Sequence, residues 1–259
     1  MALGRKSRGS ELREEALERI TPSGEPYWLS VISARRSGNI AELEAKIGSA
    51  TWYVPEDDYD DYIVAASSGN SEMKAAGSLC RSRNNALSDA FLLGLPCVQT
   101  DDDLVRIKKA YGRIITRDIS FEDSIDLILA RLNRAELYYG AVAPTTNSFF
   151  VGDITSRKQF CIASCSVIRP CDLRFDECLT LKEDYDYTIQ HITYYGGVVR
   201  SNDLLAQYKH YTNHGGAVEY RSPAEEERNI AYLKVKWGDV IRDNPRRRHE
   251  ILLRIRGSG

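Results

Sequence analysis

The sequence lacks a long apolar run. No stretch approaches the roughly 18 consecutive apolar residues of a membrane-spanning helix. The first twenty residues mix charged and polar side chains and contain no apolar segment like that of a secretory signal. A hydrophobic content of 42% is ordinary for a globular protein. We therefore expect a soluble, cytoplasmic protein with no membrane partner.

Paired cysteines and a strong charge excess are also missing. The six cysteines include no Cys-X-X-Cys pair, and no histidine lies among the last four, so neither a zinc site nor a disulfide framework is predicted. The net charge of -2 excludes a chain that is basic overall. Residues 231–259 nevertheless carry eight Lys/Arg against three acidic residues. This local basic segment could face phosphates or could be a solvated helix end.

The sequence does contain alternating strand and helix patterns. An aromatic and β-branched strand at 27–33 is followed by a helix with Ile40, Leu43 and Ile47 at helical spacing. This alternation predicts an α/β fold with a mostly parallel sheet. Residues 1–25 are predicted to form an N-terminal arm. Residues 26–259 are predicted to form a single domain with halves at about 26–140 and 141–259. The other predicted strands are 50–54, 96–100, 138–142, 148–152, 161–168 and 198–200, and the other helices are 82–93, 101–111, 119–137 and 184–195.

Three consecutive aspartates, Asp101-Asp102-Asp103, follow a predicted strand. Ligands of open α/β sheets bind beyond the carboxyl ends of strands, and carboxylates there suit Mn²⁺ or Mg²⁺. In an extended segment Asp101 and Asp103 project to one side, while Asp102 points away. The alternative is an acidic helix N-cap, because the residues from Leu104 onward are compatible with a helix.

Three further segments could carry chemistry. Glu183 and Asp184 precede a predicted helix and could supply a general base or simply cap that helix. Arg83 lies near a helix start, where arginines and free N–H groups can hold a diphosphate, or it could be solvated. His214 stands beside Gly215-Gly216, as a possible metal ligand or an ordinary loop residue.

Taken in order, these motifs resemble those of GT-A glycosyltransferases. The segments 181–188, 195–200 and 215–217 are similar to the TET/JBP-associated glycosyltransferases, many of them encoded by bacteriophages. Members of that family are linked to glycosylation of hydroxymethylated pyrimidines, such as 5-hydroxymethylcytosine, in DNA. The resemblance covers roughly residues 27–222.

The resemblance implies a Rossmann-like GT-A fold, with a mostly parallel central sheet flanked by helices, and a role for each matched residue. Arg83 would approach the diphosphate and Asp102 the ribose or sugar. Asp101 and Asp103 would bind Mn²⁺ or Mg²⁺, with His214 as a late metal ligand, and Glu183 or Asp184 would be the catalytic carboxylate. Ala34 departs from the proline, tyrosine or threonine that many such enzymes have there. The residues that would border the nucleotide base are Ser33, Ala34, Arg35, Arg36, Val54, Pro55 and Glu56.

The function that the resemblance implies is metal-dependent, inverting transfer of a hexose or pentose from a nucleotide-sugar. The donor would be a UDP-sugar and the acceptor a hydroxymethylated base in DNA, in phage DNA hypermodification within the host cytoplasm. Reaching such a base would require flipping it from the stack, with Arg246–Arg248 holding the backbone. Two alternatives stay open: a carbohydrate or lipid-linked acceptor, and a nucleotide-binding module without catalysis.

Overall fold

The computed structural model describes residues 18–66, 69–209, 216 and 221–255. Within them the chain has an α/β fold, in which a large mixed sheet is flanked by helices. The strands are β1 (Glu18–Ile20), β2 (Pro26–Ile32), β3 (Thr51–Val54), β4 (Glu72–Ala75), β5 (Cys97–Asp101), β6 (Leu104–Tyr111), β7 (Ile115–Ile119), β8 (Tyr139–Ala143), β9 (Thr155–Ser156), β10 (Cys165–Ile168), β11 (Val199–Tyr208), β12 (Ile241–Asp243) and β13 (Ile251–Leu253). The helices are α1 (Ile40–Ile47), α2 (Tyr59–Ala65), α3 (Leu79–Leu92), α4 (Phe121–Ala135), α5 (Glu183–Tyr195) and α6 (Pro223–Trp237).

The sheet order is β4-β3-β2-β5-β10-β8-β11-β6-β7. Its first four strands are parallel, whereas β10 is antiparallel to both of its neighbours. From β2 the chain proceeds outward through β3 and β4, then crosses back to place β5 on the other side of β2. In open α/β sheets, ligands bind at the carboxyl ends of the two strands where the order reverses. In the register Ile32 pairs with Asp101, so the residues after β2 and β5 meet there.

Helices cover both faces of the sheet. Helix α4 buries Ile125, Ile128, Leu129 and Leu132, which recur every three or four residues and therefore share one face. Ser120 caps this helix by accepting the N–H of Asp123 at 3.0 Å. Helices α1 and α4 pack on one face of the sheet, and α3, α5 and α6 contribute to the cluster on the other. None of the helices in the described ranges combines the length and hydropathy of a membrane span.

Several sequence-based predictions were wrong in detail. Residues 104–111 form strand β6 instead of a helix, because their backbone pairs with β11 on one side and β7 on the other. Residues 148–150 form a 3₁₀ turn instead of a strand. Part of the predicted arm, Glu18–Ile20, pairs with β2, while residues 1–17 lie outside the described part. The sheet is mixed because β10, β6 and β7 run against their neighbours.

Candidate active site

The first group of polar side chains lies at the carboxyl ends of β2 and β5. Ser33, directly after β2, donates its hydroxyl to Oδ2 of Asp102, directly after β5. The hydroxyl of Tyr62 lies 2.5 Å from the Ser33 Oγ and accepts the backbone N–H of Arg36 at 2.9 Å. A buried serine and a buried tyrosine therefore hold the turn after β2 against the end of β5.

Arg36 connects that turn to two of the aspartates. Its Nη1 lies 3.0 Å from Oδ1 of Asp102 and 3.6 Å from Oδ2 of Asp103. Burial raises the pKa of Asp102 to about 6, although the Ser33 hydroxyl and the Arg36 guanidinium act to lower it. Asp102 and Asp103 form the tight turn between β5 and β6, so no helix starts there. The helix-cap alternative for the three aspartates is therefore wrong.

The second group surrounds Arg83 on helix α3. The side chain of Arg83 is 3% exposed. Its Nη2 donates to Oδ1 of Asp101 at 3.1 Å and its Nε to Oε1 of Glu183 at 3.3 Å. Its Nη1 donates to the side chain of Gln99 and to the carbonyl of Ala163, both at 3.3 Å. Burial opposes the charge of Arg83, but the Asp101 and Glu183 carboxylates outweigh it and raise the pKa of the guanidinium. Only an arginine offers such a fork of donors to several acceptors at once.

Glu183 and Asp184 occupy the first turn of α5, which begins after Lys182 in the left-handed conformation at φ 62°. Burial raises the pKa of Glu183, although Arg83 acts to lower it. Burial and then the neighbouring Glu183 carboxylate raise the pKa of Asp184 to about 8. Asp184 is half-buried, and its one hydrogen bond within the described residues comes from the N–H of Tyr185 at 2.9 Å. Its surroundings therefore favour the protonated form of this carboxyl group, and no cation of the described residues forms an ion pair with it.

The structure brings most of the predicted residues to one edge of the sheet, but in two groups. Arg36 contacts Asp102 and Asp103, whereas Arg83 contacts Asp101 and Glu183. In the described conformation Asp101 and Asp103 are thus held by different arginines. Arg83 directs its donors at protein acceptors, so its predicted contact with a diphosphate stays a prediction.

The remaining predicted residues line the same edge or lie outside the described ranges. The Ala34 carbonyl accepts the N–H of Gly216 at 3.0 Å, and the N–H of Arg35 donates to Asp58 at 2.8 Å. Val54 ends strand β3 and Pro55 and Glu56 follow it; because β3 is parallel to β2, they reach this edge beside Ser33. His214 lies outside the described residues, and its role as a metal ligand stays a prediction.

Sequence reasoning missed two residues that organise these groups. Tyr62 was visible only as part of an acidic, tyrosine-bearing run. Gln99 accepts from Arg83 and donates its Nε2 to the Arg83 carbonyl at 2.9 Å. A glutamine inside a buried strand needs a hydrogen-bond partner, and that requirement was the available signal for Gln99.

The donor chemistry fits a hard divalent cation. No group of three or more His, Cys, Asp or Glu side chains arranged for a metal occurs among the described residues. Mg²⁺ commonly takes only one or two carboxylates, however, and completes its coordination with substrate phosphates and water. Asp101 is 34% exposed and is engaged from one side by Arg83, and Asp103 stands at the same turn. These two carboxylates could supply the protein ligands of such a cation.

Comparisons with protein-family models, with curated proteins and with solved structures find no match to this chain.

Proposed function

We propose that this protein is a metal-dependent, inverting glycosyltransferase of the GT-A type. It would move a sugar from a nucleotide-sugar, such as a UDP-sugar, to a hydroxymethylated pyrimidine in DNA, as in phage DNA hypermodification. One observation carries the proposal. Arg83 ties the carboxylate at the end of β5 to the carboxylate at the start of α5, through Asp101 and Glu183. Two acidic motifs about eighty residues apart in sequence thus belong to one buried network beside the carboxyl ends of strands in an α/β sheet.

Donor binding is assigned to the carboxyl ends of β2 and β5. Ser33, Arg36 and the residues that end β3 would border the nucleotide, with Asp102 toward the ribose or sugar. Asp101 and Asp103 would hold Mn²⁺ or Mg²⁺, which when bound would stabilise the negative charge of the leaving diphosphate. Arg83 would position Asp101 and Glu183, since four of its five N–H groups already donate to protein acceptors.

Asp184 is the better candidate for the general base. Glu183 is 7% exposed and accepts a hydrogen bond from Arg83, so its carboxylate is already engaged by another residue of the protein. Asp184 is half-buried, faces no cation in contact, and has a pKa raised to about 8. A base works best when its pKa is close to the working pH, and burial brings this carboxyl group there.

The reaction follows from these roles. The acceptor hydroxyl oxygen forms a bond to C1 of the sugar while the bond from C1 to the diphosphate oxygen breaks. The hydroxyl proton passes to the ionised carboxylate of Asp184, and the nucleoside diphosphate leaves with the electron pair. Attack from the face opposite the leaving group inverts the configuration at C1.

The test is incubation of the full chain and Mn²⁺ with a panel of UDP-sugars and duplex DNA containing 5-hydroxymethylcytosine or 5-hydroxymethyluracil. Nucleoside mass spectrometry should detect a base heavier by one glycosyl residue. The signal should disappear with EDTA and with Asp184→Asn. Asp239→Asn is a matched control, because Asp239 is an exposed surface carboxylate that pairs only with Arg242 among the described residues.

Two results would contradict parts of the proposal. Sugar-nucleotide hydrolysis without transfer to either DNA would point to a carbohydrate or lipid-linked acceptor. Binding of a sugar nucleotide with neither hydrolysis nor transfer would point to a non-catalytic module and would overturn the enzymatic assignment.

A further inference from the structure

The hairpin of β6 and β7 carries five basic side chains, three of them exposed and two, Lys108 and Lys109, half-buried. It begins directly after Asp103, and its sequence from residue 104 to 119 contains one acidic residue, Asp118. None of its basic side chains forms an ion pair with a carboxylate of the described chain. They are Arg106, Lys108, Lys109, Arg113 and Arg117.

The C-terminal basic segment differs in this respect. Arg247 pairs with Glu250 at 3.2 Å, and Arg248 pairs with Glu227 at 3.5 Å. Arg242 likewise pairs with Asp239 at 3.1 Å. Much of the positive charge that the sequence suggested for DNA is therefore matched locally, whereas the charge of the β6–β7 hairpin is not.

Apolar side chains at the hairpin tip are exposed beside these cations. Ile114 is 91% exposed and Phe150, on the loop after β8, is 72% exposed. The loop is attached to the tip, because the Ser148 hydroxyl donates to the Arg113 carbonyl at 2.9 Å. Arg113 also lies 5.8 Å from the centre of the Phe149 ring. The hairpin tip and this loop therefore present one combined surface.

The ring of Tyr111 extends the same surface. Lys109 and Arg117 are directly opposite each other in the register, and both lie 5.7 Å from the centre of that ring. Unpaired cations next to exposed rings match a nucleic acid, which offers phosphates to the former and base faces to the latter. Exposed aliphatic side chains at a tip can enter a groove or wedge between base steps.

We propose that the β6–β7 hairpin and the 147–150 loop form a DNA-binding surface. Lys109, Arg113 and Arg117 contact phosphates, and Ile114 and Phe150 contact bases or the groove. The inference rests on the proposed DNA acceptor and locates the surface that holds it. A strand rises about 3.4 Å per residue, so the tip lies roughly 25 Å along the hairpin from Asp103, within the span of one bound duplex.

The test measures binding of the full chain to fluorescently labelled 20-base-pair duplexes by anisotropy at several salt concentrations. The triple variant Lys109→Gln, Arg113→Gln, Arg117→Gln should bind at least tenfold more weakly near physiological salt. Its salt slope should fall by about 0.9 per lost phosphate contact, or about 2.7 in total. The matched control removes three charges that are already paired and lie outside both basic segments, in Lys74→Gln, Arg221→Gln, Arg228→Gln, and should change affinity less than threefold.

A second variant tests the apolar tip without changing charge. Ile114→Ser with Phe150→Ser should weaken binding several-fold at an unchanged salt slope. Circular dichroism and the melting temperature of each variant report whether it is folded. A single-stranded oligonucleotide and a vesicle with anionic headgroups are measured in parallel. Stronger binding to the single strand would support the same surface, with single-stranded DNA in place of the duplex as its ligand.

Several outcomes would overturn the inference. One is an equal loss of DNA affinity in the hairpin and control triple variants. Another is a hairpin triple variant that loses vesicle binding but keeps its affinity for DNA. The third is no measurable DNA binding by the wild type at low salt. The binding measurement needs no sugar nucleotide, so its failure differs from failure of the proposed function. If the hairpin triple variant binds DNA normally but glycosylation is observed, the surface is wrong and the function stands. If the hairpin triple variant binds DNA weakly and the wild type transfers no sugar, the DNA-binding surface stands and the proposed function is wrong.

Discussion

Replacement of Arg83 by methionine tests the buried network most directly. Methionine fills much of the same space but removes four donated hydrogen bonds, two of them to carboxylates. Glu183, at 7% exposure, would lose the cation that it contacts. Breaking a buried ion pair from one side typically costs about 3–5 kcal/mol. Asp101 is about one-third exposed and can be solvated, so we expect the lower end, about 3 kcal/mol.

The measurement is urea-induced unfolding at pH 8 followed by circular dichroism. With a slope of about 3 kcal/mol per molar urea, the midpoint should fall by about 1 M. Arg81→Met is the matched control on the same helix, because Arg81 is exposed and lies 4.0 Å from Glu177. Such a surface pair contributes about 0–1 kcal/mol. Adding Glu183→Gln to Arg83→Met should restore part of the loss, because the unpaired charge is then gone.

The stability deficit of Arg83→Met should also depend on pH, in a direction that the pKa of Glu183 determines. Arg83 acts to lower the pKa of Glu183, so its removal moves that pKa still further above the ordinary value of 4.5. A carboxyl group with a raised pKa in the folded state binds its proton more tightly there than when unfolded. The deficit of Arg83→Met should therefore widen as the pH rises from about 5 to 8. A loss no larger than that of Arg81→Met, or a deficit that narrows with pH, would refute the buried network.

Four further predictions concern the other carboxylates and the ends of β2 and β5. Glycosyl transfer should increase as pH rises through about 8, as Asp184 loses its proton, and Asp184→Asn should lower transfer by at least a hundredfold in initial-rate assays. A raised carboxyl pKa makes the folded state less stable as pH rises from 3.8 to about 8. Asp184→Asn should therefore raise the melting temperature, measured by calorimetry, more at pH 9 than at pH 5. Asp101→Asn and Asp103→Asn should each raise the Mn²⁺ concentration needed for half-maximal activity at least tenfold, and an unchanged requirement would exclude that residue as a ligand. Tyr62→Phe removes the hydroxyl beside Ser33 and should cost about 1–2 kcal/mol in urea unfolding, with a raised KM for the sugar nucleotide.

Local sequence pattern was sufficient for much of the parallel half of the sheet. Strand β2 was predicted within one residue of its observed bounds because it is rich in aromatic and β-branched residues, and helix α1 was predicted because Ile40, Leu43 and Ile47 recur at helical spacing. The acidic turn was correctly placed at the end of a strand, because the short segment 96–100 follows a helix stop at Gly94 and ends at three aspartates. These elements form largely from contacts within one or two neighbouring segments.

Strand β6 could not be predicted in the same way. Its buried residues Leu104, Ile107 and Ala110 recur every three positions, which is compatible with a helix. The strand is fixed instead by pairing with residues 204–208, about a hundred positions away, and that pairing carries an irregularity at Gln207. Long-range hydrogen bonds override local preference here, and nothing in the local sequence reports them.

The same turn explains why the grouping of the aspartates was not predictable from their spacing. Residues two apart share a side only while the chain stays extended, and the strand ends at Asp101. The turn then directs Asp102 and Asp103 to Arg36, leaving Asp101 to Arg83. Asp101 therefore shares Arg83 with Glu183, and the carboxylates of the edge fall into two clusters, each organised by one guanidinium group. Like charges at one edge of a sheet repel one another unless a cation or solvent compensates, and the divalent cation of the proposed function would supply such compensation next to Asp101 and Asp103.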